Sequence, residues 1–363
     1  MRITFVLPTV DFSGGIRVVA EIAQGLIDRG HVVTAVCPGR PDRSLKNKAY
    51  QLLRRGKWVT RDASPLRSHF DAVRVPLKVL ETHRPVAPAD VPDADVIVST
   101  WWETAHWVAA MPEKKGAKAS FFQQYETAFG APRAGVEAAW RLPAHKIVCA
   151  QWLADKARTD FGDSDVDVVN NGVDAAFFDA LPRGKQPTFT VGLLYDPRPV
   201  KGYRTAVAAL QLLRSQLPLR VVAIGTFQPD ASSPLPPNTL FAREPEQALL
   251  PELYRRCDAW LCASTSEGFH LPPHEAMACR TPVVSTRVGG PTDLIQDGVN
   301  GFLADVNDAE GLARHLGTIA AMNDDAWRAM STAARDTAVR YSWPLAAERM
   351  ERALHHAIER SRT

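Results

Sequence analysis

The sequence predicts an α/β protein of two domains, each built on a parallel β-sheet. Its 363 residues suffice for two hydrophobic cores, since a domain usually has about 100–150 residues. Short apolar segments alternate with amphipathic ones along the chain, which is typical of successive β-α-β units. Residues 181–187 have linker composition and separate two such series.

The first series begins with a short apolar strand and an amphipathic helix. The helix is predicted over residues 16–29, because Gly30 is a favourable C-terminal cap. Further helices are expected to begin near Glu103, Ala134 and Gln151. The predicted strands are residues 2–7, 31–37, 95–100, 119–123, 146–150 and 166–169.

The second series follows the linker and ends in a long helix. Residues 344–360 form this helix, with Leu345, Met350, Leu354 and Ile358 on its apolar side. We therefore predict two Rossmann-like domains facing across a cleft, residues 1–183 and residues 184–343. The predicted strands are residues 188–195, 219–225, 239–242, 259–263 and 281–286.

Composition indicates an ordinary globular protein. No apolar run approaches the roughly 20 residues that cross a bilayer, and the first residues lack the features of a signal peptide. The five cysteines are scattered and lie mostly in apolar segments. We expect buried free thiols, as in a reducing cytoplasm.

Positive charge is concentrated between residues 40 and 78. This segment has eleven Lys or Arg residues and three Asp residues, which gives a net charge of +8. The aromatic residues Tyr50 and Trp58 are interleaved with these charges. A solvated surface loop is one interpretation. A basic patch that meets an anionic acceptor, or the surface of an anionic membrane as a peripheral contact, is the other. No recognition motif accompanies the charge, so we expect no nucleic-acid partner.

The most informative segment is residues 266–279, Ser-Glu-Gly-Phe-His-Leu-Pro-Pro-His-Glu-Ala-Met-Ala-Cys. It lies between two predicted strands and contains Glu267 and Glu275, eight positions apart. Both acids therefore follow the carboxyl end of a strand, where open α/β sheets bind ligands. If the two glutamates were an isolated pair, it would be sufficient that Glu267 caps the helix and that Glu275 is a solvated acid in its first turn.

This segment, with the Val288-Gly289-Gly290 turn and residues 297–303, resembles the Glu-x7-Glu motif of family 4 glycosyltransferases. These are retaining enzymes of the GT-B fold. The resemblance implies a nucleotide-diphosphate sugar as donor substrate. It also implies that a C-terminal helix, residues 344–363, crosses back to the first domain.

The resemblance also assigns roles within the motif. It implies that Glu275 binds the ribose and Glu267 the donor sugar, with the backbone of Gly268, Phe269, His270 and Leu271 along the sugar and phosphates. Three positions depart from the family pattern. His270 and Arg280 stand where glycine is common, and His274 where an aliphatic residue is usual.

A departing diphosphate requires positive groups. Lys201-Gly202 matches the family's Lys-Gly after the first strand of the second domain. The family's arginine is not matched, because Leu193 follows Gly192; Arg198 is the candidate substitute.

Two glycine-rich turns are further candidates for phosphate binding. Gly14 and Gly15 precede the first helix, and Gly290 lies in the corresponding turn of the second domain. Exposed amides and the helix dipole favour anions at such turns. Arg17, one step inside the first helix, is a surface charge or a donor-binding residue.

Candidates for the acceptor half lie after strands of the first domain. Trp101 and Trp102 suit stacking on sugar rings, and Tyr125 and Glu126 are candidates for acceptor or sugar binding. The resemblance implies a histidine against the donor sugar, for which His106 is the candidate. The sequences Asp93-Ala94-Asp95 and Asp163-Ser164-Asp165 are interpreted as turns, so we expect no metal and no other cofactor.

The sequence therefore predicts a retaining glycosyltransferase, located in the cytoplasm or at the inner face of the membrane. It would transfer a sugar to a hydroxyl of a glycan, a lipid-linked glycan or a glycosylated metabolite. Glu267, Lys201, Arg198 and His106 are the candidate catalytic residues. A nucleotide-sugar epimerase of the same fold and a non-catalytic sugar-nucleotide-binding or glycan-binding subunit are the alternatives.

Overall fold

The strands form two parallel sheets in the computed structural model, which describes residues 1–41 and 67–362. One compact unit comprises Met1–Val148, Leu153–Val169 and the C-terminal segment from Ala346. The other comprises Cys149–Trp152 and Asn170–Leu345. The predicted α/β class with two Rossmann-like sheets is confirmed.

The first unit has seven strands in the order β3-β2-β1-β4-β5-β6-β7. Its elements are β1 (Arg2–Val6), α1 (Gly14–Asp28), β2 (Val32–Cys37), β3 (Leu77–Val79), β4 (Val96–Ser99), α2 (Trp102–Ala109), β5 (Ala117–Phe122), α3 (Arg133–Trp140), β6 (His145–Val148), α4 (Gln151–Phe161) and β7 (Val166–Val168), with α4 beginning at residues grouped with the second unit.

The second unit has six strands in the order β10-β9-β8-β11-β12-β13. Its elements are β8 (Thr190–Tyr195), α5 (Tyr203–Arg214), β9 (Arg220–Gly225), β10 (Thr239–Arg243), α6 (Leu250–Arg255), β11 (Ala259–Cys262), α7 (Leu271–Ala278), β12 (Val283–Thr286), α8 (Pro291–Leu294), β13 (Gly301–Ala304), α9 (Ala309–Ala321) and α10 (Asp324–Ala338).

In both parallel sheets the order of the strands reverses beside the first strand: later strands are added first on one side of it and then on the other. In the second unit β8 pairs with β9 on one side and with β11 on the other, where Val191 is opposite Ala259 and Leu193 opposite Leu261. In the first unit β1 is flanked in the same way by β2 and β4. Ligands of such sheets bind outside the carboxyl ends of the strands at this reversal.

Each sheet has buried strands because its central segments are apolar throughout, as parallel sheets require. The core of the second unit includes Val191, Leu193, Leu261 and Val284, packed with Leu210 of α5. A core cluster of the first unit includes Val6, Val36, Ile97 and Val108. These cores hold the carboxyl ends of the strands in fixed positions.

The last helix, α11 (Trp343–Arg360), belongs to the first unit from Ala346 onward. Within that unit the Glu351 carboxylate lies 2.7 Å from His31 Nε2 and also pairs with Arg29. The C-terminal helix thus returns to the first unit, as the resemblance implied.

Two strands were not predicted: β3 at an edge of the first sheet, and β13, whose residues were considered only as part of the motif. The prediction of buried cysteines with free thiols rather than disulfide bonds is confirmed. Most of the basic segment between residues 40 and 78 lies outside the described residues. In the described part of the chain, no helix is both long and apolar enough to cross a bilayer.

Candidate functional site

The candidate site of the second unit lies where β8 and β11 end side by side. A turn after β8 carries Lys201, and a loop after β11 carries Glu267. Gly202 follows Lys201 with a φ of 64°, and a Cβ there would come within 1.8 Å of the Ala263 carbonyl oxygen. The glycine therefore permits the close contact between the two segments.

Glu267 is the centre of a buried charge cluster. Its Oε1 lies 2.6 Å from Lys201 Nζ and accepts a 2.8 Å hydrogen bond from Ser264 Oγ. His270 Nε2 is 3.6 Å from the same oxygen. The Glu267 side chain is 6% exposed and that of Lys201 13%. Charged hydrogen bonds of this kind are strong when water is excluded.

The charges around Glu267 determine its ionisation. Burial would raise the pKa of this carboxyl, but His270 and Lys201 outweigh it and hold the pKa below its ordinary value. Glu267 is therefore a carboxylate at neutral pH, able to accept hydrogen bonds from hydroxyl groups.

His270 adopts a left-handed backbone conformation at the N-cap of α7, with φ 69° and ψ 86°. Its side chain points inward, with Nδ1 3.0 Å from Cys262 Sγ. Burial lowers the pKa of His270, but Cys262 and Glu267 outweigh it and raise the pKa above its ordinary value. The imidazole is thus accommodated beside β11, and its backbone has the conformation that glycine adopts without cost.

Glu275 lies on α7, inside the second unit. Its Oε2 accepts a 2.8 Å hydrogen bond from the Tyr254 hydroxyl, and the residue is 5% exposed. Tyr254, on α6, fixes the orientation of this carboxyl.

Arg198 forms a two-pronged ion pair with the buried carboxylate of Asp196. Its Nε lies 3.0 Å from both carboxylate oxygens, and its side chain is 53% exposed. The guanidinium carbon lies 5.8 Å from the ring centroid of Phe227, an exposed side chain after β9. Asp196 thus orients Arg198 and partly neutralises it.

The glycine turn before α8 lies against the Glu267 loop. A Cβ on Gly289 would come within 2.6 Å of the Gly268 carbonyl oxygen, and one on Gly290 within 2.2 Å of the Phe269 carbonyl oxygen. Trp152 Nε1, also in the second unit, donates to the Gly268 carbonyl at 3.0 Å. These contacts fix the backbone of the loop, and Leu271 begins α7 directly after it.

The other two departures from the family pattern are structural. His274 is fully buried, with Nε2 3.0 Å from the Ala338 carbonyl oxygen, and burial lowers its pKa to about 4. Arg280 follows the end of α7 with φ 61°, and its Nε donates to the Ala180 carbonyl at 2.8 Å. These hydrogen bonds of the two side chains lie outside the Glu267 cluster.

In the first unit, the aromatic candidates surround the start of α2. Trp101 is the N-cap residue, and Trp102 packs so closely on Gly135 that a Cβ there would be 2.6 Å from the indole. His106 Nε2 donates to the Gly135 carbonyl at 3.1 Å. Trp101, Trp102 and His106 are half-buried, so part of each side chain is available at this edge.

Tyr125 and Glu126 follow β5. Lys156 Nζ lies 4.2 Å from the centre of the Tyr125 ring. Glu126 is 1% exposed, and burial raises its pKa to about 7. The backbone N–H of Trp102 opposes this rise, which indicates that the carboxyl lies at the start of α2.

Gly14 and Gly15 are the first residues of α1 and are exposed. The Gln123 side chain would be 3.6 Å from a Cβ on Gly15. Arg17, in the next turn, is half-buried.

The four acids of the two Asp-x-Asp sequences each pair with a basic side chain. The pairs are Asp93 with Lys115, Asp95 with Arg2, Asp163 with Lys146, and Asp165 with Arg360.

The described residues include a further cluster, His145, Asp167 and His356, whose candidate ligand atoms lie within 4.8 Å of one another. Asp167 Oδ2 is 2.8 Å from His145 Nε2 and 3.2 Å from His356 Nδ1. Arg360 Nη1 lies 3.3 Å from His145 Nδ1. This arrangement favours a hydrogen-bonded cluster that ties α11 to β6 and β7.

Four site residues were not found from the sequence: Ser264, Asp196, Phe227 and Tyr254. Asp196 directly follows β8, and Ser264 lies two residues beyond the end of β11, so their positions after predicted strands were an available signal. Tyr254 and Phe227 are distant in sequence from the residues they contact, and nothing in the sequence indicated those contacts.

Solved structures share this fold over nearly the whole chain. Anabaena HepE in complex with UDP and glucose matches with a TM-score of 0.73 and 17% identity, covering 98% of this chain and 100% of that one. Sucrose-phosphate synthase from Thermosynechococcus elongatus matches with a TM-score of 0.74 and 17% identity, covering 98% of each chain. The fold and the site at its strand ends define a protein of the GT-B class.

Two family models divide the chain between them. The model described as Glycosyltransferase Family 4 matches residues 12–177, and the model described as Glycosyl transferases group 1 matches residues 186–321. The chain belongs to the family 4 glycosyltransferases, as its motif indicated.

Curated relatives match over shorter segments. The D-inositol 3-phosphate glycosyltransferase of Corynebacterium jeikeium is 38% identical over 120 residues, which cover 33% of this chain and 27% of that protein. The O-antigen chain mannosyltransferase B of Escherichia coli is 36% identical over 95 residues, 26% of this chain and 24% of that protein. The chain thus spans about a quarter of the length of these relatives.

Proposed function

We propose that this chain is a retaining glycosyltransferase that moves a sugar from a nucleoside-diphosphate sugar to a hydroxyl group, with no metal required. The acceptor is a glycan, a lipid-linked glycan or a glycosylated metabolite. The relatives named for transfer to inositol phosphate and to an O-antigen chain support acceptors that carry several hydroxyl groups.

The observation that carries the proposal is the Lys201–Glu267 pair at the reversal of the second sheet. The amine and the carboxylate are 2.6 Å apart and largely shielded from water. A cation at this edge stabilises the negative charge that develops on a departing diphosphate. The carboxylate accepts hydrogen bonds from the sugar or from the hydroxyl groups near it.

The chemical step needs no protein nucleophile in this proposal. The bond between the anomeric carbon and the diphosphate oxygen breaks, and the acceptor oxygen forms a bond on the same face. The acceptor proton passes to a phosphate oxygen of the leaving group. Lys201 and Arg198 stabilise that leaving group, and Glu275 holds the ribose.

The first test is a thermal-shift screen with UDP, GDP, dTDP and ADP. A nucleotide at 100 times its dissociation constant stabilises the fold by about 2.7 kcal/mol. Solved neighbours that hold UDP, or ADP in the case of Arabidopsis starch synthase IV, make these two nucleotides the first to examine. A protein that none of the four stabilises would contradict the proposal.

Turnover of the matching nucleotide-sugar is the second test. We expect Lys201→Ala to lower kcat by about 100-fold or more, since it removes a group that stabilises the leaving charge. Arg220→Ala is the matched control, because Arg220 is an exposed cation at the amino end of β9 in the same sheet, away from the carboxyl ends of the strands. Equal turnover by Lys201→Ala and the parent would refute the assignment.

The same assay separates the alternatives. A nucleotide-sugar epimerase would change the donor or release free sugar without an acceptor. A non-catalytic subunit would bind the nucleotide and turn over no donor with any acceptor.

A cytoplasmic location with peripheral contact at an anionic membrane is a further part of the proposal. The basic segment between residues 40 and 78 is its basis, and residues 42–66 of it lie outside the described part of the chain. Co-sedimentation with vesicles of phosphatidylcholine, with and without phosphatidylserine, tests it. Equal binding to both vesicles would refute the electrostatic contact.

A further inference from the structure

If the proposed function holds, Lys201 interacts with two different anionic groups. In the structure its amine lies 2.6 Å from Glu267 Oε1. In the proposed reaction the same amine stabilises the diphosphate. A movement of Lys201 toward the phosphates would leave Glu267 with one fewer cation. The Glu267 side chain is only 6% exposed, so water would replace little of the lost charge, and a buried carboxylate without a cation is unstable.

His270 is placed to supply the missing charge. Its imidazole is 5% exposed, and Nε2 lies 3.6 Å from Glu267 Oε1, the same oxygen that Lys201 contacts. Among the described residues, this nitrogen has no hydrogen-bond partner. A shift of a few tenths of an ångström would bring it within hydrogen-bond distance of the carboxylate.

The backbone shows that the imidazole is held there at a cost. His270 has φ 69°, a conformation that costs a residue other than glycine about 1–2 kcal/mol. The ring is fixed on its other side by Cys262 Sγ, 3.0 Å from Nδ1. The ring therefore has a defined position, between the thiol at the end of β11 and the carboxylate.

We propose that His270 is a positioning residue for the donor diphosphate: it holds Glu267 through Nε2 while Lys201 moves from that carboxylate to the phosphates. This inference rests on the proposed function. It assigns His270 no contact with the reacting atoms, because its effect passes through Glu267 and Lys201.

The inference requires a charged imidazole. The titratable groups that face His270 are Cys262 on β11, Glu267 in the loop and Lys201 in the turn after β8. Glu267 and Cys262 favour the imidazolium, and Lys201 disfavours it. Departure of Lys201 toward the phosphates removes the opposing charge, so diphosphate binding and protonation of His270 support each other.

The test is the affinity of the intact protein for UDP, GDP, dTDP and ADP, measured by isothermal titration calorimetry from pH 6 to pH 9. We expect His270→Gln to weaken binding of the preferred nucleotide about tenfold at pH 6, equivalent to about 1.4 kcal/mol. The ratio of the two dissociation constants should fall toward one as pH rises and the wild-type imidazole loses its proton. This ratio cancels the titration of the phosphates themselves.

Three variants complete the experiment. His315→Gln is the matched control, a half-buried histidine of the same unit that stacks on Phe302, and it should bind as the wild type does. His270→Gly relieves the left-handed strain and serves if the glutamine variant fails to fold; it should show the same loss. In a Lys201→Ala background, His270→Gln should have little further effect, because the two residues act on one step.

The outcomes are distinct. A wild-type protein that binds none of the four nucleotides overturns the proposed function and this inference together. If the wild type binds a nucleotide and both His270 variants bind it with the same affinity and the same pH profile as the wild type, this inference alone is overturned. Additive losses in the Lys201→Ala background would also overturn it.

Discussion

Two buried glutamates show how local charge decides the state of a side chain. Glu267 has Lys201 and His270 beside it, and its pKa lies below the ordinary value. Glu126 has backbone N–H groups as the opposing influence, and burial raises its pKa to about 7. The same residue type is therefore a carboxylate at neutral pH in one unit and an acid that keeps its proton up to about pH 7 in the other.

The raised pKa of Glu126 predicts a pH-dependent stability. The folded protein keeps this proton up to about pH 7, whereas the unfolded chain loses it near its ordinary pKa. The stabilisation is complete below that ordinary pKa and disappears as pH rises to 7, a loss of roughly 3 kcal/mol. Glu126→Gln should remove this loss, as measured by urea unfolding at pH 5 and pH 7.5.

Glu103→Gln is the control for that experiment, since Glu103 is exposed on α2. It should leave the pH dependence of the wild type unchanged. A Glu126→Gln variant with the same pH dependence as the parent would show that Glu126 is ionised throughout.

Sequence reasoning named Glu267 and Lys201 as candidates but did not predict that they pair. The two residues are 66 positions apart, and they meet because β8 and β11 are neighbours in the sheet. Strand order is a property of the folded chain that the spacing of motifs does not contain. The inward direction of His270 was equally hidden, because a sequence does not show on which side of a left-handed residue its side chain lies.

At the scale of elements, α7 is delimited by left-handed residues at both ends. His270 has φ 69° before it and Arg280 φ 61° after it. After the helix, the Arg280 N–H bonds the Met277 carbonyl and the Thr281 N–H bonds the Ala276 carbonyl, which is the Schellman arrangement. Both ends thus have a left-handed backbone conformation, which glycine adopts without cost.

The turn before α8 is predicted to hold the Glu267 loop in place. In Gly290→Ala the new methyl group would meet the Phe269 carbonyl oxygen, which an unstrained structure does not allow. We expect a loss of about 1–3 kcal/mol in the free energy of unfolding and weaker nucleotide binding. Urea unfolding and calorimetric titration measure the two effects.

Gly317→Ala provides the comparison. Gly317 lies within α9, and a Cβ there has its nearest neighbour at 3.8 Å. It should stabilise the protein by about 0.5–1 kcal/mol and leave nucleotide binding unchanged. If Gly290→Ala behaved in the same way, the proposed packing of the two loops would be wrong.

Elements were predicted well where apolar runs are long and poorly where they are short. Strands buried on both faces, such as β4 and β11, were located to within about two residues. Strand β3 has only three residues, with Lys78 between Leu77 and Val79, so its sequence shows no buried run. Its place in the sheet comes from pairing with β2 rather than from its own composition.

At the scale of the whole molecule, each unit has its own sheet and core. Asp258 ties the segment before β8 into the second unit. It accepts hydrogen bonds from the backbone of Gln186 at 2.8 Å and of Thr190 at 2.9 Å, and from Arg183 at 3.1 Å. Its side chain is fully buried.

Asp258→Ala is therefore predicted to destabilise the second unit by about 3–5 kcal/mol, because it leaves buried donors and the Arg183 charge without their acceptor. In differential scanning calorimetry, it should lower the same transition that a bound nucleoside diphosphate raises. Asp305→Ala is the control, with a side chain that is 85% exposed, and it should change stability by less than about 0.5 kcal/mol. If the nucleotide did not affect the transition that Asp258→Ala destabilises, the nucleotide site would not belong to the second unit.

The buried cysteines have a practical consequence for labelling chemistry. All five cysteines lie in the described part of the chain and are buried, and burial raises the pKa of Cys37, Cys149, Cys257 and Cys279. Burial also acts to raise the pKa of Cys262, but His270 outweighs it and lowers that pKa, so Cys262 is protected from reagents by its burial alone. Since the thiolate is the form that alkylating reagents attack, the native protein should react slowly with maleimides. One exposed cysteine introduced into each unit would then accept a dye without removal of the native thiols. Energy transfer between the two dyes would follow the distance between the units as nucleotide is added.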